Sequence, residues 1–279
     1  MKLNLKVTFK SKTFIIPLFD FSMFKVTEGR ARTNKIKDYY VHFTDEHIVP
    51  DVLRFLVTYE EGKWLTKSPN ASLSIFDNTT LSNIETPDVY IGKKDWDDIN
   101  LNNSVQKTSE QLSGREVKNI VLILESPHTE EYSDDLSPYC PAVGETGQKI
   151  EQHIDDLMHF LKLDTNDDFH LIIANPVPLQ ASLGHSYKNP PFNMPLVSEL
   201  RNKIWKSLFE KEEIRNHFIE RIEIYNPSVL INACTYDLKK KVKSLMEVNF
   251  KSQFEDEVFI YTETQHPSAS TFADSLRII

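Results

Sequence analysis

The sequence predicts a mixed α/β fold: a central parallel four-stranded sheet in one domain, preceded by a β-rich N-terminal domain. Three observations predict it. Four short apolar runs, at 121–124, 169–175, 229–233 and 258–262, have strand length and stop at proline or polar residues. Helical periodicity fills the spaces between them, and strands alternating with helices imply a parallel sheet with right-handed crossovers. Before residue 110, by contrast, no helical pattern persists.

Length and composition set the bounds. The 279 residues suit one large or two modest domains with ample core. With 40% hydrophobic and 26% charged residues, the composition is that of a folded globular chain. No apolar run approaches the roughly 20 residues of a membrane span. The start, MKLNLKVTFKSK, alternates polar and apolar residues and lacks a signal-peptide core. Cys140 and Cys234 are the only cysteines, too few for a four-thiolate cluster. A cytoplasmic monomer without membrane contact is expected. The net charge of −9 argues against non-specific coating of nucleic acid. Yet residues 1–37 carry nine basic and two acidic side chains. That basic stretch suits contact with phosphates, or equally the solvated lysines of an edge hairpin.

In chain order, residues 3–10 and 13–19 read as a hairpin around Ser11 and Lys12. The segments DYYVHF and VLRFLVTYEEGKWLT supply further strand-like pieces, as does Val89-Tyr90-Ile91. Residues 68–113 are rich in Asn, Asp, Ser and Thr and read as an irregular connection. The domain boundary is therefore expected at 110, with residues 1–110 accessory and 111–279 carrying the site.

The second part opens on VKNIVLILESPHT, residues 117–129, a strand buried on both faces that ends at Pro127. Residues 148–163 place Ile150, Ile154, Leu157, Met158 and Leu161 on one helical face, with Thr146 as cap. The strand FHLIIAN stops at Pro176, and a loop with five prolines follows. Helices are predicted over 199–208, 212–225 and 237–248. The last carries Lys239, Lys240, Lys241 and Lys243, and reads as a solvated face rather than a DNA track. Three strand ends carry distinctive polar residues: Glu125 with His128, Asn175, and His266. Parallel strands point the same way, so all should lie along one edge, where open α/β sheets bind ligands.

These motifs, in this order and covering residues 115–279, resemble the uracil-DNA glycosylase superfamily. Glu125-Ser126-Pro127-His128 is similar to the first active-site motif. Pro141-Ala142-Val143-Gly144 with Thr146-Gly147-Gln148 is similar to the Pro-Phe-Val-Gly loop and helix start of the family 4 branch. Asn175 sits where those enzymes read the base, Pro227-Ser228-Val229-Leu230-Ile231 matches a strand entry, and His266-Pro267-Ser268 matches the His-Pro-Ser motif. There are departures. Ser126 stands where family 1 has Asp, Ala142 where a phenylalanine stacks on uracil, and His128 where the 5-methyl group is screened. The iron–sulfur cysteines of family 4 are missing.

The resemblance implies a three-layer sandwich and a monofunctional DNA glycosylase without cofactor. Glu125 would steady the oxocarbenium-like sugar or orient water, and His266 would donate to the departing base. Asn175, His128 and Ala142 would face the base, and Tyr139 (or Tyr132) would supply a replacement ring. Ser126, Ser268 and Ser270 would meet the DNA backbone. The superfamily includes bacterial defence glycosylases that attack hypermodified phage bases, and Ala142 with the extra domain favours a modified cytosine over uracil. Bland readings stand beside these: a loop carboxylate capping N–H groups for Glu125, a turn residue for Asn175, local packing for the tyrosines. Rival functions are uracil repair, an inactive module that binds modified DNA or nucleotides, and a nucleoside or nucleotide hydrolase.

Overall fold

The computed structural model describes residues 2–9, 12–20, 39–43, 52–67, 89–90, 117–127, 131, 142, 145–179, 181, 194–255 and 259–276. The strands are β1 (Lys2–Phe9), β2 (Lys12–Asp20), β3 (Tyr39–Phe43), β4 (Val52–Glu60), β5 (Lys63–Lys67), β6 (Val89–Tyr90), β7 (Val117–Ile123), β8 (Asp168–Ala174), β9 (Val229–Asn232) and β10 (Ile260–Glu263). The helices are α1 (Glu145–Gln152), α2 (Ile154–Phe160), α3 (Met194–Phe209), α4 (Glu212–Tyr225), α5 (Tyr236–Asn249), α6 (Lys251–Glu255) and α7 (Phe272–Ser275).

The main sheet has the order β10-β9-β7-β8-β4-β5, with β6 also on β4. Strands β10, β9, β7 and β8 are mutually parallel, as the apolar runs predict. Alternation along each strand sends side chains to opposite faces. Val121, Ile123, Ile172, Ala174 and Leu230 pack with Trp205 and Leu208 of α3, Phe218 and Ile222 of α4, and Val242 and Met246 of α5. Ile120, Leu122, Leu171, Ile173 and Ile231 pack with Ile150 of α1, Leu157 and Met158 of α2, and Phe272 of α7. Helices therefore cover both faces, which is why these strands read as unbroken apolar runs.

The boundary expected at residue 110 does not divide the molecule. β4 lies antiparallel against β8, and β5 and β6 pair with β4 in turn. Phe55, Val57 and Trp64 join the second core, and the Trp64 N–H donates to Asp155 Oδ1 of α2 at 2.8 Å. Every residue of β8 is buried, so its outer edge needs a ladder partner that water cannot replace. β4 supplies it. The hairpin β1–β2 forms as predicted, with β3 parallel to β1 in a separate small sheet. Val7 and Phe9 of β1 complete the first core. Phe9 meets the His217 ring edge-on at 5.2 Å, and Lys12 pairs with Glu213 at 2.7 Å.

Two smaller corrections concern helices. The helix predicted over 148–163 begins at Glu145, so Thr146 lies in its first turn instead of capping it, and it breaks at His153 into α1 and α2. α3 starts at Met194, earlier than predicted, with Pro195 in the first turn, where a missing N–H costs nothing.

Deleting residues 1–110 should strip the β8 edge and leave a fragment that self-associates or melts without a sharp transition. A monomeric fragment melting like the full chain would contradict the shared sheet. A second expectation concerns His170 of β8, buried with Nδ1 3.3 Å from Asn119 Oδ1. Burial pushes its pKa from 6.5 down to about 4. The unfolded chain takes up this proton first, so the stability contribution is intact above pH 6.5 and is lost as pH falls toward 4. The loss amounts to roughly 3 kcal/mol. His170→Gln should flatten that part of the stability–pH profile in urea titrations, whereas an unchanged slope would refute it.

Candidate functional site

The registers set the strand exits level. Ile123, Ala174, Asn232 and Glu263 form one row across β7, β8, β9 and β10. Glu125, Asn175 and His266 follow that row by two, one and three residues, so all three leave from one edge.

Each exit is fixed by donors from the covering helices and from the neighbouring strand exits. The Glu125 carbonyl accepts a hydrogen bond from Trp205 Nε1 at 2.8 Å and one from the Val177 N–H at 3.4 Å. The Asn175 carbonyl accepts from Arg221 Nη2 at 2.7 Å, and Arg221 is fully buried. The Leu124 carbonyl accepts from Cys234 Sγ at 2.6 Å. Burial pushes the Cys234 thiol well above its usual range, and the Glu125 charge adds to this. The thiol therefore stays protonated and inert, a donor instead of a nucleophile.

The Glu125 side chain is 9% exposed. Its Oε1 accepts from the Thr235 N–H at 2.6 Å, and its Oε2 lies 3.8 Å from Arg201 Nη1 of α3. Thr235 is presented by the turn after β9, which fully buried Asn232 holds together. Asn232 Oδ1 accepts from the Cys234 N–H at 3.2 Å. Its Nδ2 donates to the Tyr261 hydroxyl at 2.8 Å and to the Lys239 carbonyl at 3.1 Å. Burial raises the Tyr261 pKa, keeping that hydroxyl protonated. Lys239 Nζ donates to the Thr264 carbonyl, and burial lowers its pKa.

His266 sits in the turn after β10. Its Nδ1 accepts from the Ser268 N–H at 3.2 Å, with Ser268 Oγ 2.8 Å away. A backbone N–H can only donate, so the neutral ring carries its proton on Nε2. Burial lowers the His266 pKa, Glu125 opposes this, and Arg201 and Lys239 add to the lowering. Near neutral pH the ring is an uncharged Nε2–H donor.

The remaining sequence-predicted residues divide. Ser126 is half-buried and Ser270 exposed, while Ser268 serves the His266 ring, with Lys149 Nζ 3.4 Å from its carbonyl oxygen. His128, Tyr132 and Tyr139 lie outside the described residues. Ala142 is covered, at 1% exposure, and its methyl belongs to the α1–α2 core instead of an open wall. Its φ of 58° is the left-handed conformation, and its N–H donates to the buried Glu131 Oε1 at 2.8 Å. Gly147 faces it: a Cβ there would lie 1.9 Å from the Ala142 carbonyl oxygen and 3.3 Å from Arg54 Nη2. Arg54 occupies the irregularity in the β4–β8 register, the kind of bulge that re-aims a side chain.

Arg201, Thr235, Asn232 and Trp205 were not foreseen from the sequence, and Lys239, read there as part of a solvated face, instead turns its Nζ to the Thr264 carbonyl and is partly desolvated. Asn232 carried a readable signal, since it ends a strand as Asn175 does. Thr235 acts through its main chain and Arg201 from a distant helix, so neither leaves a local mark. Among the described residues, no three His, Cys, Asp or Glu side chains gather as a metal site.

Gly147→Ala should destabilise the chain by about 1–3 kcal/mol in thermal melts, because the obstacle is backbone and cannot rotate away. A melt like that of the parent would refute the contact. The chain matches no family model, no curated protein and no solved structure.

Proposed function

We propose that the chain is a monofunctional DNA glycosylase of the uracil-DNA glycosylase type that removes a modified base and leaves an abasic site. The observation that carries this reading is the pairing at one sheet edge of a clamped carboxylate, Glu125, with an uncharged imidazole, His266, whose free proton is on Nε2. Breaking an N-glycosidic bond leaves positive charge on the sugar and an electron pair on the departing base. A fixed carboxylate suits the first and an Nε2–H donor the second. The Thr235 N–H holds one carboxylate oxygen, leaving Oε2 for the sugar or the attacking water. Water adds to the sugar carbon, and Glu125 takes or orients its proton.

The target base has to leave the duplex stack to reach such an edge. No ring stands in the Pro-Ala-Val-Gly motif at 141–144 to stack on uracil. That favours a base other than plain uracil, and a hypermodified cytosine such as the glucosylated hydroxymethyl form in phage DNA fits a role in antiviral defence. The nine basic residues within 1–37 suit a DNA partner. One observation favours a second reading, a binding module without chemistry: Arg201 lies 3.8 Å from Glu125 and offsets part of its charge.

Genomic DNAs carrying different modified bases, incubated with the protein and probed for alkali-labile sites, separate these readings. The glycosylase should release a free base, and Glu125→Gln should lower the rate by about 10²–10⁴-fold. Binding without abasic sites on every DNA tested would sink the proposal in favour of the binding module.

A further inference from the structure

One face of α3 is turned to Glu125. Arg201 and Trp205 lie four residues apart, on the same side of the helix. Arg201 Nη1 is 3.8 Å from Glu125 Oε2, and Trp205 Nε1 donates to the Glu125 carbonyl at 2.8 Å. One side chain meets the carboxylate and the other meets the main chain of the same residue. The main-chain contact is the tighter, and a second donor to that carbonyl, the Val177 N–H, stands farther off at 3.4 Å.

Glu125 lies two residues beyond Ile123, the end of β7, so a regular ladder no longer sets the direction of its carbonyl. That direction is the ψ of Glu125, and side-chain rotamers follow φ and ψ. A donor fixed on the carbonyl therefore aims the carboxylate. Trp205 is able to do this because it is itself immobile. It is fully buried, and its ring stacks on Phe209 with centroids 4.5 Å apart and planes 19° apart. The indole offers one N–H and no acceptor, so the contact runs one way.

We infer that Trp205 is a positioning residue for Glu125: its N–H fixes the peptide beyond β7 and so directs the carboxylate to the Thr235 N–H and the reacting sugar. This rests on the reading that Glu125 acts at a glycosidic bond. The residue is then held at both ends, its carbonyl by α3 and its Oε1 by the turn after β9, 2.6 Å from the Thr235 nitrogen. With the indole donor gone, only the 3.4 Å contact from Val177 remains on the carbonyl among the described residues. The peptide is then free to turn and to carry the carboxylate off Thr235. A displacement of about 1 Å at a reacting group costs on the order of 100-fold in rate.

NMR of the full-length chain reads this geometry, because the Thr235 amide is bonded to Glu125 Oε1. Two changes remove the donor. Trp205→Phe keeps an aromatic ring beside Phe209. Benzothienylalanine placed at position 205 keeps the bicyclic shape, with sulfur where the N–H was, and serves where Trp205→Phe does not fold. Either should move the Thr235 amide upfield and speed its exchange, an effect that packing alone would not produce in the shape-preserving chain. On a DNA that yields base, kcat should fall by about 10–100-fold while KM stays near that of the parent. A Thr235 amide that keeps its parent shift and exchange in the benzothienylalanine chain would overturn the inference, as would an unchanged kcat. A moved amide with no base released from any DNA would uphold the grip of Trp205 on Glu125 and overturn the glycosylase reading. An unmoved amide in a chain that still releases base would do the reverse.

Discussion

The Thr235 N–H to Glu125 Oε1 hydrogen bond, at 2.6 Å, is the contact on which the candidate site depends. A carboxylate on a side chain at 9% exposure is costly unless its charge is met by donors. A main-chain N–H meets that charge without adding a side chain that must itself be ordered. The donor is delivered only because the turn after β9 is rigid, and that rigidity traces to Asn232, which ties β9 to β10 through Tyr261 and to α5 through the Lys239 carbonyl. The first polar residue beyond the central strand is thereby fixed by its neighbours on the sheet.

The same economy governs the carbonyls at this edge. The last C=O groups of a sheet buried on both faces have no further strand to accept from and no water to turn to. Trp205 and Arg221 of the covering helices, and the Cys234 thiol of the turn after β9, each supply one donor. These side chains also pack: Trp205 stacks on Phe209 at 4.5 Å, and the Arg221 guanidinium lies 5.2 Å over Phe218. The core and the site are therefore one construction. A substitution in α3 or α4 that leaves the apolar volume intact can still release a strand exit by removing a donor, at a cost of about 1–3 kcal/mol.

Much of this was legible in the sequence, for physical reasons. Strands covered on both faces carry few polar residues, so β7, β8 and β9 stand out as apolar runs, and the polar residues at their ends become conspicuous by contrast. Glu125, Asn175 and His266 were found in that way. β4 was not recognised as part of the same sheet because only Phe55, Val57 and Thr58 are buried among its described side chains, the others being partly or fully exposed. Such a half-covered pattern suits any β domain. Ala142 illustrates a different limit. Its motif marked a loop near the site, but that its methyl is covered depends on Glu131 and Gly147, which no local pattern couples to it. Arg201 is 76 residues from Glu125 in sequence, and on a helix surface an arginine is ordinary until the partner is known.

Amide hydrogen exchange and chemical shift at Thr235 test the central contact most directly. Bound to the buried Glu125 side chain, the Thr235 amide should resonate downfield, exchange as slowly as the amides of β7 and β9, and lose both properties in Glu125→Ala. A Thr235 amide that exchanges like an open loop in the parent chain, or one indifferent to Glu125→Ala, would contradict the account.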